Sequence, residues 1–147
     1  MNQNASPLTT QAPPTDDVPE AISIQGVDRD QIRRYFETLN AGEFERTSRL
    51  FAPQGQLIPP FEEPIVGPEA IAAYLQQEAR GMKLRPKRGE ISATVEGREE
   101  VKISGEVETA LFTVKVGWLF VLDRDGQILG VTVKLLASLA ELASLRR

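Results

Sequence analysis

Two side chains in this sequence join a large apolar body to a single hydrogen-bond donor: the phenol of Tyr35 and the indole of Trp118, the only tryptophan in 147 residues. Both fall at positions that read as inward. A buried Tyr O–H or Trp N–H usually finds a partner, and backbone or water can serve each of them alone. If the two converge across a pocket, they form a two-donor clamp for one carbonyl oxygen on an otherwise apolar molecule. Each neutral hydrogen bond adds about 1 kcal/mol, so apolar burial supplies most of the affinity.

The remaining chemistry is narrowed by what is missing. With no cysteine there is no disulfide, thiol nucleophile or iron–sulfur cluster. With no histidine, Ser-His and Cys-His catalysis and ordinary zinc sites are excluded. A general base would then be an Asp or Glu in a dry pocket. No acid sits at a trustworthy inward position: Glu100, Glu106 and Glu108 fall on a polar face, Asp123 and Asp125 in a turn, and Glu62 and Glu63 in a proline-rich segment whose facing is unreadable. All read as solvated surface. A net charge of -4 leaves no basic footprint for nucleic acid or anionic membrane. No apolar run approaches the roughly 20 residues of a transmembrane helix, and the N-terminus lacks the pattern of a signal peptide. The expectation is a soluble, cytoplasmic protein.

The elements that must position Tyr35 and Trp118 are legible in outline. Residues 1–20 are rich in Pro, Thr, Asn and Gln without apolar periodicity and read as a flexible arm; residues 21–147 read as one domain. Asp28 is expected to cap a first helix, with Val27 and Ile32 as a hydrophobic staple, and Ile32, Tyr35, Phe36 and Leu39 on its inward stripe up to Asn40 and Gly42. A short helix from about Glu43 to Phe51, stopped by Pro53, should bury Phe44, Leu50 and Phe51. The stretch GQLIPPFEEPIVG has prolines too closely spaced for anything but extended or turning chain, read as short edge strands. Pro68 after Gly67 starts a third helix, with Ile71, Tyr74 and Leu75 inward, that Gly81 ends.

From there the pattern is β. Ile91, Ala93 and Val95 alternate with polar residues, then a turn at Glu96-Gly97 leads to a strand with Val101, Ile103 and Val107 inward. The stretch FTVKVGWLFVL follows, whose residues Phe112, Val114, Val116, Trp118, Phe120 and Leu122 form a wholly apolar face. After the turn DRDGQ, Leu129, Val131, Val133 and Leu135 share one face of a last strand. Ser138 and Glu141 make a capping box for a terminal helix. This order predicts an α+β fold: an NTF2-like cone, a curved antiparallel sheet with helices on its concave face. A ferredoxin-like sandwich fits the order poorly.

The stretches YFETLNAGEFERTSRLFAPQGQLIPPFEEPIVG, MKLRPKRG, GWLFVLDRDGQI and LLASLAEL resemble the C-terminal domain of the cyanobacterial orange carotenoid proteins. The chain from about Ala21 is more similar still to that domain's stand-alone relatives, the C-terminal-domain homologues. The resemblance implies an NTF2-like fold that binds a ketocarotenoid such as canthaxanthin or echinenone and has no enzymatic activity. It assigns the keto-oxygen donors to Tyr35 and Trp118, and the apolar tunnel to Leu39, Met82, Leu84, Val107, Phe112, Val133 and Leu135. It also implies a homodimer sharing one pigment, exchange of pigment with helical carotenoid proteins or membranes, and quenching of singlet oxygen. A xanthophyll is about as long as a domain with a radius of gyration of ~14 Å is wide, so one cone covers only part of it.

The sequence departs from that family at named places. The loop after Glu108 is shorter than in the full-length photoreceptors, Leu111 replaces a tryptophan, and Lys134 stands beside the expected tunnel in place of an aspartate. Without cysteine, any dimer is non-covalent. Glu78 matches an acid that pairs with an arginine of a partner domain, and otherwise reads as an exposed helix residue. Two rivals stay open. One is a SnoaL-like or ketosteroid-isomerase-like enzyme, with Tyr35 polarising a carbonyl and Glu62 as base. The other is a dimerisation module whose cavity its own side chains plug.

Overall fold

The computed structural model describes residues 21–136, so the expected arm over 1–20 and the terminal helix after Ser138 lie outside the described residues. Helix α1 spans Asp30–Asn40 and buries Ile32, Tyr35, Phe36 and Leu39 on one stripe. Asp28 does not cap it. The helix begins two residues later with no side-chain cap, and Asp30 in the first turn supplies the negative charge that the helix N-terminus favours, pairing with Arg34 at 2.9 Å. Gly42 at φ 77 provides the left-handed turn that ends this region.

Helix α2 is a shorter piece than the apolar spacing suggests, Phe44–Ser48, and Phe51 belongs instead to strand β1, Phe51–Ile58. Pro53 therefore stops no helix; it lies within the strand. The ladder tolerates it because pairing is interrupted between Phe51 and Gln56, where the missing N–H costs no bond. Nor is β1 an edge. It lies between the two-residue strand β2, Ile65–Val66, and the last strand. Helix α3, Pro68–Glu78, starts with Pro68 as expected and buries Ile71, Ala72 and Leu75.

Four long strands follow: β3 (Lys83–Val95), β4 (Arg98–Glu108), β5 (Thr113–Leu122) and β6 (Ile128–Leu136). They form an antiparallel meander, β6 then pairs in parallel with β1, and the sheet order is β2-β1-β6-β5-β4-β3. This is the curved mixed sheet of an NTF2-like fold, with helices on one face. Strand β3 starts well before Glu90. Its far half, where Ile91 and Val95 are exposed rather than inward, runs beyond the helical layer. The β3–β4 turn at Glu96-Gly97 has both residues at positive φ, the geometry of a two-residue hairpin.

The register fixes one inward face. Cross-strand rows Val101–Phe120–Val131, Ile103–Trp118–Val133, Val116–Leu135 and Leu84–Val107–Val114 place these side chains on the same side. A register shift between Val121 and Leu122 puts Ile128, fully buried, in the place expected for Leu129, which is only half-buried. Lys134 lies opposite Gly117, so it projects from the far face of the sheet and not toward the inward side.

Candidate ligand-binding site

The inward face divides at Trp118. On one side the rings interlock: Tyr35 meets Phe36 at 5.2 Å, Phe120 at 5.1 Å and Phe51 at 6.2 Å, all edge-on. Phe36 in turn stands edge-on to Trp118 at 4.9 Å and to Phe120 at 5.7 Å. On the other side, under the rows of Val116 and Val114, the helical layer recedes and leaves a cavity of about 310 Å³. Volumes of this order suit part of a drug-sized ligand.

Tyr35, Trp118, Leu39, Met82, Leu84, Val107, Phe112, Val133 and Leu135 all line this cavity. The inner members Tyr35, Trp118, Leu39, Leu84 and Val107 are buried. Phe112 and Leu135 are not inward core residues as their parity suggested: they are 58% and 51% exposed and stand at the mouth. Phe112 precedes β5 and belongs to a tight loop in which the Thr109 hydroxyl accepts from the Phe112 N–H at 3.2 Å. Pro59, Pro60, Leu57 and Tyr74 also border the cavity. The sequence did not assign them, because the facing of a proline-rich stretch has no period to read; Tyr74 could be placed only on the inward stripe of its helix.

Two donors inside this apolar space are unpaired. Tyr35 and Trp118 are each 2% exposed, and among the described residues neither the Tyr35 Oη nor the Trp118 Nε1 has a hydrogen-bond partner. Such groups are uncommon in folded proteins and costly to bury. Burial, with a smaller contribution from Tyr74, pushes the Tyr35 phenol well above the ordinary tyrosine range, so it is a neutral O–H donor at any physiological pH.

The helix that carries Tyr35 is fixed to the sheet at its far end. Asn40 donates to the Leu84 carbonyl at 2.8 Å and accepts from the Leu84 N–H at 2.7 Å, acting as a short strand against β3. Glu62 lies outside the cavity: it is exposed, and its carboxylate accepts from the Tyr74 hydroxyl at 3.3 Å. Tyr74 is pushed up to about 12 by partial burial first, then by the charge and hydrogen bond of Glu62. Glu78, also exposed, is the only charged residue lining the cavity among the described residues. A second depression, about 390 Å³, is bordered by Arg88, Lys102, Lys134 and also Trp118, but not by Tyr35, so only the first cavity brings the two donor residues together.

The SnoaL-like domain model matches residues 32–131, which is most of the chain. This chain belongs to the SnoaL-like domain family. Within that family it is similar to the orange carotenoid-binding protein of Synechocystis, 37% identical over 130 residues. That match covers 86% of this chain but 41% of the relative, so the chain spans about two-fifths of the length of the curated relative, as expected of a homologue of its C-terminal domain. Among solved structures, the Fremyella diplosiphon OCP1 superposes with a TM-score of 0.79 at 35% identity, over 86% of this chain and 41% of that one. The Anabaena orange carotenoid protein binding canthaxanthin superposes equally well, TM-score 0.79 at 33% identity, over 98% of this chain and 46% of that one. The relatives more than 30% identical to this SnoaL-like domain are described as orange carotenoid proteins, whereas an epoxide hydrolase/cyclase-like enzyme, at 17% identity, shares the fold alone.

Proposed function

We propose that this protein binds a ketocarotenoid of the canthaxanthin or echinenone type, with its keto ring in the cavity and its ring oxygen accepting from Tyr35 and Trp118. The observation that carries this reading is the pair of buried donors, neither with a partner among the described residues, on one largely apolar cavity. A carbonyl on a hydrocarbon frame satisfies both while the frame fills the apolar volume. The named carotenoid-binding relatives support the same ligand class.

The cavity is too small to hold a whole xanthophyll, so the pigment extends past Phe112 and Leu135. A non-covalent homodimer sharing one pigment covers the remainder in water. In this reading residues 21–147 are the pigment-binding domain of a cytoplasmic protein. It carries pigment to and from helical carotenoid proteins or membranes, and the bound pigment quenches singlet oxygen. Quenching is chromophore photophysics and needs no catalytic side chain. The enzyme rival has no support in the geometry, since Glu62, its proposed base, faces solvent.

The test is co-expression with canthaxanthin. A coloured, monodisperse protein is the expected result. Purification of colourless protein from pigment-rich cells, with the fold intact, would exclude this function.

A further inference from the structure

The far face of the sheet carries the depression of about 390 Å³, which the ligand site does not use. The register explains its shape. Arg88, Ser104, Gly117 and Lys134 form one cross-strand row, and Glu90, Lys102, Leu119 and Thr132 the next. Ser104 and Gly117 offer almost no side chain, so the middle of the first row is a floor between two long cations, with Leu119 and Leu136 as apolar walls. Arg88, Lys102 and Lys134 are exposed, and among the described residues none of them pairs with a carboxylate. By contrast Arg29, Arg34, Arg46, Arg49 and Lys87 each meet one. Three cations against Glu90 leave the lining at +2, on a chain of net charge -4. Neighbouring rows on this face balance within themselves: Glu106 lies opposite Lys115 and 3.7 Å from Lys87, and Glu100 follows Arg98 on the same side of β4.

We propose that this depression holds residues 15–20 of the same chain, TDDVPE, with Asp16, Asp17 and Glu20 on Arg88, Lys102 and Lys134 and Val18 against the apolar walls. Residues 1–20 contain these three acids and no lysine or arginine. The described chain enters the fold at the right edge. Gln25 pairs with β3, its N–H donating to the Lys87 carbonyl at 3.1 Å and its carbonyl accepting from the Gly89 N–H at 2.8 Å, so the backbone passes directly beside Arg88. Ala21, Ile22 and Ser23 border a recess with Arg85 and Pro86 on that edge. Five extended residues cover about 17 Å, and the three strand spacings from Arg88 to Lys134 about 14 Å, so Asp16 and Asp17 reach across the depression. Charge decides against the other end of the chain: residues 137–147 follow Leu136 but carry one acid against two arginines. Exposed ion pairs are weak singly, and a tethered segment meets them at an effective concentration in the millimolar range, where three together suffice. The segment then covers the back of the strand that carries Trp118.

Because the chain has no cysteine, a nitroxide on Thr15→Cys reports where the segment lies. In the full chain without pigment, at low salt, the amide signals of Ser104, Gly117 and Thr132 should broaden about fivefold more than those of helix α2 on the other side of the sheet. Salt at about 0.5 M should remove the difference. So should the triple change Asp16→Asn, Asp17→Asn and Glu20→Gln, and the pair Lys102→Gln and Lys134→Gln. Equal broadening over the sheet and α2, or broadening that survives both salt and the charge changes, would overturn the proposal. Broadening of these signals by a nitroxide on Ser144→Cys and not on Thr15→Cys would overturn it too, by giving the depression to the other end of the chain. These readouts need no pigment, so they stand or fall apart from the carrier function.

Discussion

Tyr35 and Trp118 reach one cavity from different layers of the fold, and Phe36 joins them, its ring edge-on to both at 5.2 Å and 4.9 Å. The phenol comes from helix α1 and the indole from the centre of the sheet. Their separation is therefore set by how closely the helix rides on the strands, and Phe36 is the spacer.

Removing the phenol oxygen should act with opposite sign on the empty and the loaded protein. In the empty protein Tyr35→Phe deletes an unpaired buried hydroxyl, so the thermal midpoint should hold or rise. In the loaded protein it deletes one hydrogen bond, costing about 1 kcal/mol, or roughly fivefold in affinity, and shifting the absorption to the blue as the carbonyl is less polarised. Thermal melts and pigment titrations read the two effects; lowered stability of the empty protein would mean that the hydroxyl has a partner there.

Phe36→Ala should cost more than either donor substitution, about 3–5 kcal/mol, because a fully buried ring is lost from the contact between helix and sheet. Chemical denaturation measures this. A cost near that of an exposed residue would show that Tyr35 and Trp118 are spaced by something other than this ring.

Asn40→Ala should destabilise by about 1–3 kcal/mol, since it strips both the N–H and the carbonyl of Leu84 of their partner at once. Asn40→Asp keeps the acceptor for the N–H and loses the donor, so it should fall between. Equal stability of the alanine and aspartate variants would remove the strand-like role of this side chain.

Alkaline pH should destabilise the protein through its tyrosines. Both phenols are held above the ordinary value of about 10, Tyr74 to about 12, so their contribution is complete below pH ~10 and is lost as pH rises through the folded-state values. Tyrosinate absorbance should therefore appear together with unfolding. Ionisation of both tyrosines near pH 10 in protein that remains folded would contradict this burial.

The sequence by itself determined which residues face inward wherever a period was long and unbroken. The 3.6-residue stripe of α1 named Ile32, Tyr35, Phe36 and Leu39, and the alternation in β4 and β5 named Val101, Ile103, Val107, Val116, Trp118 and Phe120, because side-chain direction along a regular element follows from local geometry alone. Where the backbone breaks its own period, only the tertiary structure decided. Pro53 became part of an interior strand because a gap in pairing spared its missing N–H, Ile128 displaced Leu129 through a bulge, and Phe112 and Leu135 stand at the mouth, half exposed among the described residues. That Tyr35 and Trp118 open on the same empty volume is likewise a tertiary fact: it depends on the distance between two layers, and nothing in the spacing along the chain encodes that distance.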